Sequence, residues 1–529
     1  MFRVEYLKLE NHPQLKNIEI QISDIDEILN KTKPYTSVVI GPNGTGKSFI
    51  LRELAEILRQ FVDLSKGIRK SVIFSYDLHL RYKYYHNTYE IVTRKGFISA
   101  HTKVENKNYL FFKNRPLEVD FYNPETISEI ITNYEVLFKE LEFPDRLIVN
   151  SILQTDRFVF RNSMQDDFYQ YMGARSTNST SSTKSASRKT IKYLFNSSIS
   201  DLDFLKNLRE LLSFLEFDES LTINYTTKIN KLFFSGNLTA KNFRRYFEEW
   251  WHDDFEYSKR KKENPLWSIP YYQNHIQENP DLLKRIIDFL NVTTKSNLQD
   301  IPRSVSKILA IDLFDNKMSH NEMELVRHLE SLDIINLEGI KINKNRSTIS
   351  LNDVSSGEFH LIISMIGIFS KITNDSLILI DEPEVSLHPN WQMRYVSFLK
   401  KVFSNYPGSH FIITSHSHFI VSDLEGESSS VTAIRRLEDG CLKTNLIKKD
   451  TYGWSAEEVL YSVFNVQTTR NFYIEIDLRE LLHKIAYKSD DFRRMRDILR
   501  KIKLIEFSDN DPINLVINQA ENYLAKYDR

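Results

Sequence analysis

Cysteine is almost absent from this 529-residue chain. Its one thiol, Cys441, excludes an internal disulfide framework and any zinc site built on cysteines, and it suits a reducing compartment. Long apolar runs are missing too. The longest, Leu361 to Phe369, is interrupted by Ser364 and Gly367 and falls short of the ~20 residues a membrane span needs. The amino terminus, MFRVEYLKLENH, alternates like a strand and lacks the apolar stretch of a secretion signal. A soluble, cytoplasmic protein without a membrane partner is expected. Excess charge of either sign is also lacking: 70 Lys and Arg against 71 Asp and Glu leave a formal net charge of −1. That argues against a wholesale nucleic-acid coat and leaves room for local basic patches. Sustained heptads and internal repeats are absent, which argues against a long coiled-coil arm. Aromatics are plentiful, with 34 Phe and 26 Tyr. Most read as core, and the length suggests two to four domains.

The chain is organised around Gly41-Pro42-Asn43-Gly44-Thr45-Gly46-Lys47-Ser48. Val38-Val39-Ile40 before it reads as a buried strand, and Phe49 to Phe61 after it reads as an amphipathic helix. This is the G-x-x-x-x-G-K-[ST] pattern in the strand–loop–helix setting it requires. Glycines let the backbone turn tightly and approach a phosphate, while loop amides and the helix N-terminus supply positive potential. Lys47 is placed for the terminal phosphates of a nucleoside triphosphate, and the Ser48 hydroxyl for Mg²⁺.

A second cluster completes such a site. Ser376 to Ile380 is an apolar strand ending in Asp381 and Glu382. A carboxylate at the carboxyl end of a parallel strand beside the phosphate loop is where Mg²⁺ needs a ligand, so Asp381 takes that role, through water. Glu382 is placed to polarise the attacking water as general base. Ser355-Ser356-Gly357-Glu358 opens an apolar helix and by itself reads as a helix cap. Its place shortly before the acidic strand raises a second reading, a helix N-terminus facing a γ-phosphate. Phe411 to Thr414 is another core strand, ending in Ser415-His416-Ser417, and His416 stands where a γ-phosphate sensor is expected.

Taken in order, GPNGTGKS, SSGE, LILIDEPE, SLHP and TSHS resemble the ABC-type ATPase heads of the SMC, DNA-repair and OLD-nuclease group. The resemblance covers about residues 1–160 and 345–450. It implies an α/β fold: a P-loop head with a mixed parallel sheet and an antiparallel subdomain. It implies ATP and Mg²⁺ as ligands, and a signature loop of Ser355, Ser356, Gly357 and Glu358 that acts in trans on ATP held by another protomer. It also implies a D-loop from Glu384 to His388, His416 as switch histidine, and Gln154 as the Q-loop residue and a further Mg²⁺ ligand. The signature departs from LSGGQ, with Val354 for Leu, Ser356 for the first Gly and Glu358 for Gln; the SSGE form is common in the OLD-like branch.

The head is expected to be split. Residues 1–175 form its first part, 176–344 a compact, mainly helical insertion, 345–450 its second part, and 451–529 a helical tail. Within the tail, Ser455 with Glu458 forms a capping-box pattern, and Asp511-Pro512 reads as a helix start. In the insertion, Phe243-Arg244-Arg245-Tyr246 and Tyr257 to Lys262 interleave aromatics with basic residues, a pattern that suits nucleic acid as well as a solvated helix face. OLD nucleases continue into a Toprim domain with an early Glu and a later D-x-D. Glu425-Gly426-Glu427 and Asp509-Asn510-Asp511 match these superficially, and read better as a loop and a helix start.

A head of this kind without a Toprim domain resembles the PtuA family, the ATPases of Septu and some retron-associated anti-phage systems. The stretches from Arg157 to Arg175 and from Tyr452 to Phe464 share in that resemblance. It implies a homodimer or higher homo-oligomer pairing through its ATP heads, and a PtuB-type HNH nuclease partner acting on DNA. In retron versions it also implies a reverse transcriptase and its noncoding DNA or RNA. The alternatives are a self-sufficient OLD-type nuclease, a DNA-repair or SMC-like ATPase, and a binding module that holds nucleotide without turnover.

Overall fold

Alternating apolar and polar residues at the amino terminus form an antiparallel pair, β1 (Phe2–His12) and β2 (Lys16–Gln21). The fully buried strand β3 (Tyr35–Ile40) follows, then the glycine loop, then α1 (Lys47–Ser65). Strands β4 (Asp77–Tyr84), β5 (Asn87–Arg94), β6 (Phe97–Val104) and β7 (Lys107–Phe111) join the first pair. The product is an antiparallel sheet ordered β2-β1-β4-β5-β6-β7. The computed structural model describes residues 1–23, 32–69, 74–94, 97–104, 107–111, 141–153, 156–160, 168–173, 175, 190–191, 193–194, 202–227, 233–250, 268–296, 298–300, 307–314, 320–385, 387–422, 424–437, 441–447, 454, 456–462, 472–505 and 511–527. It divides the chain into two compact units, Met1–Gly453 and Trp454–Arg529.

β8 (Arg146–Ser151) and β9 (Tyr169–Tyr171) belong to a second sheet. Between them and the rest of that sheet the chain forms α2 (Leu202–Phe214), β10 (Leu221–Thr227), α3 (Pro280–Ser296), β11 (Leu298–Asp300), β12 (Lys307–Asp312), α4 (His320–Ser331), β13 (Ile335–Lys344) and β14 (Ser347–Ser350). The insertion expected to be mainly helical therefore also carries a five-stranded antiparallel sheet, β11-β12-β10-β13-β14. Its strands carry period-two alternation in LTINYTT and INLEGIKINK, short patterns set among stronger helical ones.

The segment Phe243–Tyr246 requires a correction. Phe243 and Tyr246 are buried with Phe233, Phe247 and Tyr272 in an aromatic cluster. Ring centroids lie 4.8 Å apart for both the Phe233–Tyr246 and the Phe247–Tyr272 pairs. These rings are core and present no stacking platform to a base. The second such segment, 257–262, lies outside the described residues.

The chain returns through α5 (Ser356–Phe369), β15 (Ser376–Asp381), α6 (Pro389–Val402), β16 (His410–Ser415), β17 (Ser429–Arg436) and β18 (Leu442–Ile447). The seven-stranded sheet is ordered β18-β17-β3-β16-β15-β8-β9, parallel throughout except for β18. Its middle strands are buried along nearly their whole length, so they read as continuous apolar runs rather than alternating ones. The register aligns Asp381 with Thr414 and with Ser151, and Ser415 with Ile40. The polar residues that end each apolar run therefore lie along one edge, the carboxyl edge, where open parallel sheets hold ligands. α1 anchors that edge through Ile50, Leu54, Ile57, Leu58 and Phe61, all at most 1% exposed. Among the described residues no helix is long and apolar enough to cross a membrane.

In the second unit, α7 (Phe472–Ala486), α8 (Phe492–Lys503) and α9 (Ile513–Tyr527) enclose their own core of Leu481, Met495, Ile498, Leu499, Ile502, Ile513, Ala520 and Tyr523. The Asp511 carboxylate accepts a hydrogen bond from the Ile513 amide, as expected for a helix start. Ser455 of the expected capping box lies outside the described residues, as do Asp509 and Asn510.

Candidate active site

The glycine loop takes its shape from two left-handed residues, Gly44 (φ 79°) and Gly46 (φ 84°), a region costly for any side-chain-bearing residue. Gly41 serves a different need. A Cβ there would sit 2.4 Å from the Ile434 carbonyl oxygen on the neighbouring strand β17, so only hydrogen fits. The loop delivers Lys47 and Ser48 to the first turn of α1. Lys47 is buried, and its ammonium donates to the carbonyl oxygens of Gly41 (2.8 Å) and Pro42 (3.2 Å). It also lies 3.0 Å from Nδ1 and 3.1 Å from Nε2 of His416. Burial pulls the Lys47 pKa down to about 8, against the opposing pull of Glu382, Glu384 and Asp381.

Ser48 Oγ donates to Asp381 Oδ1 at 2.8 Å, and Thr414 Oγ1 donates to the same oxygen at 2.6 Å. Asp381 is only 2% exposed. Burial pushes its pKa up to about 6, although the two hydroxyls favour its charge. A hydroxyl and a buried carboxylate at the mouth of a phosphate-type loop are hard oxygen donors. That donor set fits a magnesium ion whose remaining ligands are water and phosphate.

Glu382 leaves the strand in a left-handed conformation, φ 48°, a strain of about 1–3 kcal/mol of the kind that gathers at active sites. Its amide donates to the Thr414 carbonyl at 3.0 Å, which ties the turn to β16. His416 Nε2 meets Glu382 Oε1 at 2.7 Å, and this bond holds the Glu382 carboxyl below its ordinary pKa. The His416 amide in turn donates to Glu384, whose own pKa burial raises. Gln392 of α6 donates to the Leu387 carbonyl at 2.8 Å, and its Oε1 accepts from Ser417 Oγ at 2.6 Å. It thereby joins the segment after β15 to the segment after β16. His388 caps α6, its Nδ1 accepting from the Asn390 amide at 3.3 Å. Ser386, within the expected D-loop, lies outside the described residues.

The structure thus gathers Gly41–Ser48, Asp381, Glu382 and His416 into one site. Ser355–Glu358 bond elsewhere. Ser355 caps α5 by accepting from the Glu358 amide at 3.3 Å, and Glu358 Oε2 accepts from the Ser355 amide at 2.9 Å. Glu358 Oε1 is held by Lys344 Nζ at 2.8 Å. Burial pushes its pKa up, but the bonds from Lys344 and Ser355 win and hold it below the usual carboxylate range. Ser355 and Ser356 are exposed. α5 also touches the strand preceding the expected Q-loop, since Ser364 Oγ donates to Asn150 Oδ1 at 3.1 Å. Gln154 itself lies outside the described residues.

Several participants were not anticipated from the sequence. Thr414 is one; its register partner across the ladder is Asp381, a relation that only strand pairing reveals. Just past the Q-loop position, Asp156 Oδ1 accepts from Arg175 Nη2 at 2.7 Å, and Asp156 Oδ2 accepts from the Tyr171 hydroxyl at 2.6 Å. The ion pair is largely buried, with side chains 0% and 12% exposed, and it pins this loop to the end of β9. Glu425, the superficial Toprim match, sits at the opposite edge of the sheet, just ahead of β17. It pairs there with Lys33 at 3.0 Å and Lys400 at 3.7 Å beside a cavity of about 470 Å³.

The chain is similar to several known proteins. The chain is 31% identical over 142 residues to the Septu protein PtuA of Bacillus thuringiensis, covering 24% of this chain and 35% of that one. It is 26% identical over 189 residues to the Retron Vc95 probable ATPase of Vibrio cholerae serotype O1 biovar El Tor, covering 30% and 35%. The chain thus matches about a third of the length of these curated relatives. A crystal structure of an SMC head bound to the C-winged helix domain of ScpA matches at 12% identity with a TM-score of 0.34, over 84% of this chain and 97% of that one. Residues 3–421, most of the chain and every residue of the gathered site, match the family model described as AAA ATPase domain, and the chain belongs to that family.

Proposed function

We propose that this chain is the ATP-hydrolysing subunit of a cytoplasmic anti-phage defence complex, built as an ABC-type head that pairs with a second copy when ATP is bound. The observation that carries the proposal is the joining of Lys47, Ser48, Asp381, Glu382 and His416 in one partly buried cluster along the carboxyl edge of the sheet. The head comprises residues 1–175 and 345–450, the insertion 176–344 and the tail 451–529.

In this reading the loop amides and Lys47 bind the triphosphate, Lys47 exchanging its loop carbonyls for phosphate oxygens. Ser48 and Asp381 would hold Mg²⁺, with Gln154 as a third contributor. The ion would neutralise phosphate charge as it develops in the transition state. Glu382, kept ionised by His416, receives the proton of the attacking water. His416 orients that carboxylate and senses the terminal phosphate. Ser355 and Ser356 stand exposed at the start of a long buried helix, and their partner in this reading is the triphosphate of a second protomer. The contacts of α5 with Asn150 and with Met172, whose Sδ lies 2.9 Å from where a Gly367 Cβ would be, would transmit pairing to the Q-loop.

The similarity to Septu PtuA and to retron ATPases supports a place in phage defence, with a PtuB-like HNH nuclease as partner and DNA as its target. A retron form would add a reverse transcriptase and its noncoding nucleic acid. The head-pairing claim is tested with Glu382→Gln by sedimentation with and without ATP. The variant is expected to accumulate as an engaged dimer or larger species in ATP and to separate without it. A species distribution that ignores ATP would refute pairing through the heads.

A further inference from the structure

The aromatics of Phe243–Tyr246 are core, and the basic residues of the tail are arranged differently. Six of the twelve residues of α8 are Arg or Lys and one is Asp. Its apolar stripe of Met495, Ile498, Leu499 and Ile502 is 0–6% exposed and packed into the core of the tail unit. On one side Arg494 bonds Glu480 at 2.8 Å and Lys501 lies 3.9 Å from Asp477, both acids belonging to α7. Lys503 pairs with Glu521 of α9. On the face turned away from the apolar stripe, Arg493, Arg496 and Arg500 follow one another at i, i+3 and i+7, all exposed, with Asp497 3.6 Å from Arg500. Residues so spaced share one helix face.

We propose that the Arg493–Arg496–Arg500 stripe of α8 binds the phosphodiester backbone of a nucleic acid. The stripe runs for about 10 Å of helix axis at 1.5 Å per residue, with successive arginines about 4.5 and 6 Å apart along it. Each strand of duplex DNA presents about one phosphate per 3.4 Å of its axis, so long arginine side chains at this spacing can each reach one. Arginine suits this role because its planar fork grips two phosphate oxygens at once. A lipid surface fits worse. An interfacial helix inserts its apolar face, and here that face is used up in the core of the unit. Phosphate contacts carry no sequence information, so binding is expected to follow charge rather than sequence.

The test uses the full-length protein without ATP, so that its outcome does not depend on the hydrolytic site. Fluorescence anisotropy follows binding of labelled duplex DNA, the same single strand, and its RNA counterpart across a series of NaCl concentrations. Two triple variants are compared with the parent, one changing Arg493, Arg496 and Arg500 to Gln and one changing them to Glu. Because these side chains are exposed, the circular dichroism and melting of the variants should match the parent. The Gln variant is expected to lower the slope of log K against log salt by about 2 to 3, one contact per arginine. Affinity near 0.1 M salt should fall by at least about tenfold, and further for the Glu variant. The parent's ranking of the three probes identifies the form of backbone bound. Parental affinity and slope in both variants on every probe would overturn the proposal. So would a parent that binds polyglutamate but no nucleic acid, which would make the stripe a docking face for an acidic protein.

Discussion

Asp381→Asn is expected to make the nucleotide-free protein more stable while removing its activity. The wild-type carboxylate is 2% exposed, and burial lifts its pKa from 3.8 to about 6. A folded-state pKa raised by that much means that ionising Asp381 costs the fold about 3 kcal/mol at neutral pH. Asparagine keeps an acceptor oxygen for Ser48 Oγ and Thr414 Oγ1 and carries no charge. The sign follows from linkage: the wild-type penalty is absent below pH ~4, where the unfolded chain is protonated as well, and complete above pH ~6. The advantage of the variant should therefore be near zero at acid pH and largest above pH 6. For a cooperative unit of about 450 residues, 3 kcal/mol corresponds to a rise in Tm of about 3 °C at about 2.1 cal/mol/K per residue. Scanning calorimetry from pH 4 to pH 8 in Mg²⁺-free buffer reads it directly. Saturating Mg²⁺ and ATP should reverse the order, because only the wild type then gains ligand stabilisation. A variant that melts lower than wild type at pH 7.5, or a difference that does not change with pH, would refute the argument that Asp381 is a strained functional carboxylate.

Gly41→Ala should abolish ATP binding in a filter assay and lower stability by about 1–3 kcal/mol, because its Cβ would press against backbone, the Ile434 carbonyl. Ser355→Ala should destabilise the first turn of α5 by about 1 kcal/mol and leave ATP binding at low protein concentration unchanged, since Ser355 caps its own helix and bonds nothing in the phosphate loop. Glu358 has a lowered folded-state pKa, so its part in that cap is present at neutral pH and lost as pH falls through that value; hydrogen exchange at α5 should quicken accordingly. Asp156→Asn breaks a buried ion pair and leaves Arg175 uncompensated, with an expected loss of about 3–5 kcal/mol read by urea denaturation.

The candidate site is legible because its parts are local. The glycine loop needs its residues at fixed spacing, and the carboxylates come at the end of an apolar run that can only be a buried strand. Register then aligns those run-ends without further information, which is why Asp381, Glu382 and His416 lie together. Thr414, Gln392 and the Asp156–Arg175 pair were not legible, since each acts through a neighbour set by tertiary pairing rather than by sequence spacing. The sheet β10–β14 escaped notice because its strands are short and are joined by stretches with strong helical periodicity. The aromatics at Phe243 and Tyr246 misled for a simpler reason: sequence spacing does not tell an exposed ring beside an arginine from a buried one.

The most direct test of the central claim is a single-turnover measurement of ATP hydrolysis, with ATP affinity measured in parallel, for the wild type and Glu382→Gln. Glu382 meets His416 at 2.7 Å beside Lys47 and Asp381, and its amide analogue keeps the shape while losing the base. The account predicts unchanged ATP affinity and hydrolysis slowed by about 10²–10⁴-fold, the range a positioned general base supplies. Hydrolysis by Glu382→Gln at the wild-type rate would contradict it and place the base elsewhere.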